Sequence, residues 1–237
     1  MRKLLGALAG TAIPMLLTFS HAHAEQLIWG FQAEQFEYRI SNDAEVAAWD
    51  VDGMIGTDEF KLRYIGEGEY VDDTEDTLEV FENRLVGQIP ISDFFDAKAG
   101  VRLDAPDGPD RWYGVLGIQG LAQQWFEIDL DLFVSEKADT SVRLDAEYEA
   151  LLTNYITIIP SIELDLPFSE DKEIGVGAFG PKLEIGARLS YDLVDRTISP
   201  YIGVHYERVF GKTADFKTEE GEDKDELYFV IGSRFMF

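Results

Sequence analysis

Apolar side chains recur at every second position through most of this chain. That step, two residues rather than 3.6, marks strands with one apolar face. The clearest run is WFEIDLDLFV, where Phe126, Ile128, Leu130, Leu132 and Val134 oppose Glu127, Asp129 and Asp131. Val142, Leu144, Ala146 and Tyr148 likewise oppose Arg143, Asp145, Glu147 and Glu149. Further on, Leu183, Ile185, Ala187, Leu189 and Tyr191 face away from Lys182, Glu184, Gly186 and Arg188. Similar alternation marks 36–40, 49–55, 60–64, 95–103, 156–166, 201–208 and 227–237. The segment 77–88 is strand-like with an ambiguous inward face, and RWYGVLGIQG reads as a Gly-rich strand in either register. The count is about twelve strands of about ten residues, the length that crosses a bilayer when tilted.

These strands predict an all-β fold, a transmembrane antiparallel β-barrel, because lipid demands an apolar outer face and no free sheet edge. The closing strand ends on Phe237, with Leu227, Phe229, Ile231 and Phe235 on the same face. An even strand number brings both ends of the barrel to one side. Longer connections (VDDTED, DAPDGPD, PFSEDKEIGVGAFG, FGKTADFKTEEGEDKD) alternate with shorter ones (GTDE, PISD, LAQQ, LLTN, DLVDR). The long set is expected outside the cell and the short set in the periplasm. A soluble sandwich shares the alternation but needs neither an export leader nor an aromatic final strand.

Such a leader is expected over residues 1–24. Arg2 and Lys3 precede an apolar run from Leu4 to Phe19, and Ala22-His23-Ala24 supplies a small-residue cleavage site. Residues 25–237 then form one barrel domain, delivered to the bacterial outer membrane by Sec-type export. Cleavage removes two bases and no acid, leaving 46 acidic against 18 basic residues. That excess repels phosphate and excludes nucleic-acid binding.

Charge on a lipid-facing strand is expensive, so the polar faces must line the lumen. Both signs crowd there, and a narrow, partly plugged interior is expected. The mature chain has no cysteine, one histidine (His205) and two methionines, Met54 and Met236. A thiolate site and a multi-histidine site within one chain are thereby excluded. His205 and Glu207 are two apart on one strand, so they share a face about 7 Å apart along it. Imidazole plus carboxylate suits Cu(II) or Zn(II), although a lone histidine also serves as an ordinary lumen residue. The row Glu127, Asp129, Asp131 can hold a borderline cation or pair with Arg143, Arg102 and Arg188. Met54 shares the inward face with Asp50 and Asp52, as a thioether ligand or as packing. No serine has an evident base partner, so an enzyme is not expected.

Four stretches resemble a known family: FFDAKAGVR, GVLGIQGLAQQWFEIDLDLFVSEKADTSVRLDAEYEALLT, SPYIGVHYERVFGKTADF and FVIGSRFMF. They are similar to the outer-membrane copper-resistance protein B family from about Phe31 to Phe237. The resemblance implies a barrel acting in periplasmic copper homeostasis, copper binding, and a periplasmic multicopper oxidase as partner. Family members often carry a Met- and His-rich segment ahead of the barrel. Here Glu25 to Gly30 lead almost directly into the first strand. The alternative reading is a narrow cation-permeable or structural barrel without a specific metal site.

Overall fold

The computed structural model describes residues 26–42, 44–72, 77–194 and 196–237. The leader expected over 1–24 and the tip of the VDDTED connection lie outside the described residues. Alternating segments become β1 (Ile28–Ile40), β2 (Glu45–Gly56), β3 (Lys61–Asp72), β4 (Thr77–Pro90), β5 (Phe95–Asp104) and β6 (Arg111–Leu121). They continue as β7 (Phe126–Ser135), β8 (Thr140–Tyr148), β9 (Ala150–Leu151), β10 (Ile156–Pro167), β11 (Lys182–Tyr191), β12 (Ile198–Val209) and β13 (Asp225–Met236). Each long strand pairs antiparallel with the next, and β13 pairs with β1 to close the sheet. Phe31 and Phe237 exchange backbone hydrogen bonds of 3.1 and 2.8 Å across this seam. Closure leaves no free edge for lipid to meet.

The barrel is twelve-stranded, because β9 continues β8 along the same neighbour. Ile158 pairs with Ala150 and Ser161 with Glu147 in one unbroken register. The ladder is interrupted opposite Pro160, which has no N–H to give. Among the described residues no helix is long and apolar enough to cross a membrane.

The faces expected to meet lipid do so: Phe36, Ile202, Phe229 and Ile231 are all exposed. The opposite faces are inside, with Glu37, Arg39, Asp131, Arg188 and His205 buried. The two ambiguous strands resolve. In β4, Glu82, Arg84, Val86 and Gln88 point inward, and in β6 Arg111 and Val115 do. Gly117 fixes the β6 register, since a Cβ there would strike the Asp131 carboxylate and approach the Leu130 carbonyl within 2.6 Å. A bulge between Ala33 and Gln35 brings both Glu34 and Gln35 to the lumen wall.

The long connection FGKTADFKTEEGEDKD, expected outside the cell, contains α1 (Gly211–Glu220). Gly221 ends the helix in the left-handed region (φ 89°), its N–H bonding the Lys217 and Thr218 carbonyls. Thr213 Oγ1 accepts from Gly177 N at 3.1 Å and donates to the Gly180 carbonyl at 2.7 Å. These bonds fasten the helix to the β10–β11 loop at the mouth of the barrel.

Candidate metal centre in the lumen

The lumen holds a cavity of about 790 Å³. It reaches from the long loops, at Pro106, Asp171 and Lys217, down to Glu34, Gln119 and Glu147. Ion pairs cross it. Arg143 on β8 lies 3.2 Å from Glu82 and 3.4 Å from Glu67, on β4 and β3. Glu82 also meets Arg84 at 2.8 Å and Arg102 at 2.7 Å. An apolar nucleus supports this group: Phe133, fully buried, packs with Val86 and Val115, and the Arg102 guanidinium stacks 4.6 Å over its ring. These pairs join strands that are not neighbours in the sheet and fill part of the lumen.

His205 points into the cavity from β12 and is only 4% exposed. Its Nε2 is 3.3 Å from Glu184 Oε2, yet neither ring nitrogen makes a hydrogen bond. Glu184 lies on β11, where it pairs directly with Glu207, while His205 is opposite Gly186. Lys182, also on β11, joins the two carboxylates, its Nζ 2.8 Å from Glu184 and 3.3 Å from Glu207. The strand order therefore brings one imidazole, two carboxylates and one ammonium into contact. Sequence spacing predicts Glu207 as the neighbour of His205. The carboxylate in contact is Glu184, a diagonal neighbour that only the β11–β12 register reveals.

The acidic row on β7 faces its twin on β8: Glu127 pairs with Glu147 and Asp129 with Asp145. Its cationic partners differ from those expected. Lys98 reaches Asp129 at 2.5 Å and Asp131 at 2.9 Å, and Arg84 reaches Asp131 at 3.1 Å. Arg143 turns instead to Glu163, Asp165 and Glu82, Arg102 to Glu82 and Asp104, and Arg188 to Glu37. Lys98 can reach the row because Gly117 leaves its side-chain space empty. Met54 pairs with Gly30 and Arg63, two residues from the short-turn end of β2. The structure does not bring it to His205, which is four residues from the long-loop end of β12. The β7 row is also separate, since its strand neighbours are β6 and β8. Among the described residues, no three His, Asp or Glu side chains already stand in positions to hold a metal ion.

At the mouth, Arg111 binds Asp171 at 2.8 Å and Glu173 at 2.7 Å, and Lys137 binds Glu173 at 2.6 Å. The hydrogen bond from Arg111 holds the Asp171 carboxyl below the usual carboxylate range, against a smaller opposing effect of burial. These contacts tie the β10–β11 loop to the rim.

A closed twelve-stranded sheet with an apolar exterior and a charged interior defines an outer-membrane β-barrel. Solved structures share the fold. The NanC porin superposes with a TM-score of 0.56 at 12% identity, covering 88% of this chain and 99% of its own. The KdgM porin gives 0.52 at 12% identity, with the same coverages of 88% and 99%. A family model described as copper resistance protein B precursor (CopB) matches residues 27–237. The copper resistance protein B homolog of Pseudomonas syringae pv. tomato is 33% identical over 207 residues, 87% of this chain and 69% of that protein. Copper resistance protein B of Escherichia coli is 33% identical over 204 residues, 86% of this chain and 68% of that protein. The chain belongs to the copper resistance protein B family, and its place is the outer membrane.

Proposed function

We propose that this barrel binds copper ions in its lumen and acts from the outer membrane in periplasmic copper homeostasis. His205 supplies the nitrogen ligand and Glu207, with Glu184 beside it, the oxygen ligands. The observation that carries the reading is His205 itself, a buried imidazole lining the cavity, its Nε2 3.3 Å from the Glu184 carboxylate and its Nδ1 without a polar partner. A contact this long leaves the imidazole loosely held, and a Lewis acid beside Glu184 would take a ring-nitrogen lone pair that has no donor of its own. Nitrogen plus carboxylate favours Cu(II) over the softer Cu(I). The facing acids Glu127, Asp129, Asp145 and Glu147, with Asp131, form an acidic wall that concentrates cations deeper in the lumen. Met54 offers a thioether near the short-turn end, apart from the nitrogen site.

No catalytic step is assigned to these residues. The mature barrel begins at Glu25 after leader removal, and a periplasmic multicopper oxidase is the partner this role calls for. Titration of the refolded mature barrel with Cu(II), against Zn(II) and Ca(II), tests the reading. Saturable Cu(II) binding stronger than Ca(II) binding supports it, and weak, equal binding of all three rejects it. Deletion of the gene should raise copper sensitivity more than sensitivity to osmotic stress.

A further inference from the structure

Glu184 and Glu207 face each other across β11 and β12, with His205 diagonal to the first. Two carboxylates and an imidazole are ligand types that a divalent ion takes, but among the described residues they do not stand in place to hold one, and a cation is already there. The Lys182 ammonium touches both carboxylates, at 2.8 and 3.3 Å. Lys182 is the first residue of β11, at the long-loop end, and its side chain is one-third exposed. It can therefore withdraw toward the mouth without crossing the packed interior. Around the group, Arg39 is held by Glu37 at 2.7 Å and Glu69 at 2.5 Å, so it is not free to replace the lysine.

We propose that Lys182 is a tethered competitor for the metal, its ammonium occupying the place between Glu184 and Glu207 that a divalent ion takes beside His205. Uptake is then an exchange: the ion enters from the mouth, the ammonium leaves the carboxylates still protonated, and His205 gives a lone pair to the ion. This inference rests on the proposed metal reading and adds its control. The tether sets a threshold. A monovalent ion offers the two carboxylates no more charge than the ammonium does and must displace a group at high local concentration. A divalent ion gains about twice the Coulomb attraction at the same distance. The exchange also explains why, among the described residues, no three donors stand ready for a metal, because a salt bridge to lysine orients the carboxylates.

The test uses the refolded mature barrel in detergent, with heat-modifiable gel migration confirming the fold of each variant. Cu(II) affinity is measured for the wild type, Lys182→Met, Lys182→Gln, Lys182→Arg and Lys61→Met. Lys61 pairs with Asp96 and lies at the short-turn end of β3, so it reports bulk charge alone. Loss of the ammonium in either neutral Lys182 variant should tighten Cu(II) binding at least tenfold. Lys182→Arg and Lys61→Met should not. A second readout needs no variant: acylation of Lys182 in the wild type, read by mass spectrometry, should rise when Cu(II) is bound. Equal tightening by Lys61→Met, or no tightening together with unchanged Lys182 acylation, overturns the exchange. His205→Ala separates the two ideas: if it leaves binding intact the metal reading fails, whereas if it weakens binding and the Lys182 variants do nothing, only the exchange fails.

Discussion

Arg188 on β11 and Glu37 on β1 are joined by two hydrogen bonds of 2.8 Å, although β12 and β13 lie between their strands. Glu37 also accepts from Arg39 Nε at 2.7 Å and from the Tyr201 hydroxyl at 2.8 Å. Four donors around one buried carboxylate tie the closure seam from inside. Removing one partner of such a pair strands the other charge and costs about 3–5 kcal/mol. Arg188→Ala should therefore lower barrel stability by about that amount in urea unfolding from detergent. Joint replacement of Arg188 and Glu37 by Leu should recover most of the loss, since no stranded charge is left.

Gly117 tests the register of β6. A Cβ there would meet the Asp131 carboxylate, with Lys98 Cε only 2.9 Å away, whereas at Gly114 the nearest atom is 3.9 Å off. Overpacking of this kind costs about 1–3 kcal/mol. Gly117→Ala should destabilise the barrel by that amount and Gly114→Ala should be close to neutral, as judged by the same unfolding assay.

The lipid face can be probed at Ile231, which is 58% exposed midway along β13. An arginine at the midplane of a barrel's lipid face costs about 2–4 kcal/mol. Ile231→Arg should lose that much stability in lipid vesicles and far less in solution-facing controls such as Gly108→Arg, where the surroundings are open.

The clasp at the mouth carries a pH dependence. Arg111 holds Asp171 below the usual carboxylate range, so the folded loop binds that proton less readily than the unfolded chain does. The contribution to stability is complete above the unfolded value of about 3.9. It fades as pH falls below that value and through the lower folded one. Amide exchange in the β10–β11 loop should stay protected down to about pH 4 and open below it. Asp171→Asn should remove that acid-sensitive step while leaving exchange in the barrel strands unchanged.

Most strands and their faces were legible in the sequence because lipid outside and charge inside impose a period of two, which β4 and β6 show least clearly. Phe36 against Glu37 and Phe229 against Tyr228 could be assigned without a structure. The interior was not legible, because lumen partners belong to strands far apart in the chain. Arg143 could be placed inside but not matched to Glu82, a choice set by the register of the five strands from β4 to β8 and by Phe133 beneath the guanidinium of Arg102. The same limit separated Glu207, the spaced neighbour of His205, from Glu184, its contact. The glycines of β6 could have flagged a close approach, which Gly117 and Gly120 make and Gly114 does not. The bulge at Glu34 and the helix after Phe210 had no comparable signal, since each depends on what packs against it.

The central claim is that His205 is the nitrogen ligand for copper in the lumen. The direct measurement is Cu(II) titration of the folded wild-type barrel and of His205→Ala under identical conditions. With His205 as the nitrogen ligand, the variant should bind at least tenfold more weakly, by about 1.4 kcal/mol, with unchanged heat-modifiable migration. Equal Cu(II) affinity in the two proteins would contradict it and leave the metal held only diffusely, by the acidic wall and the loops.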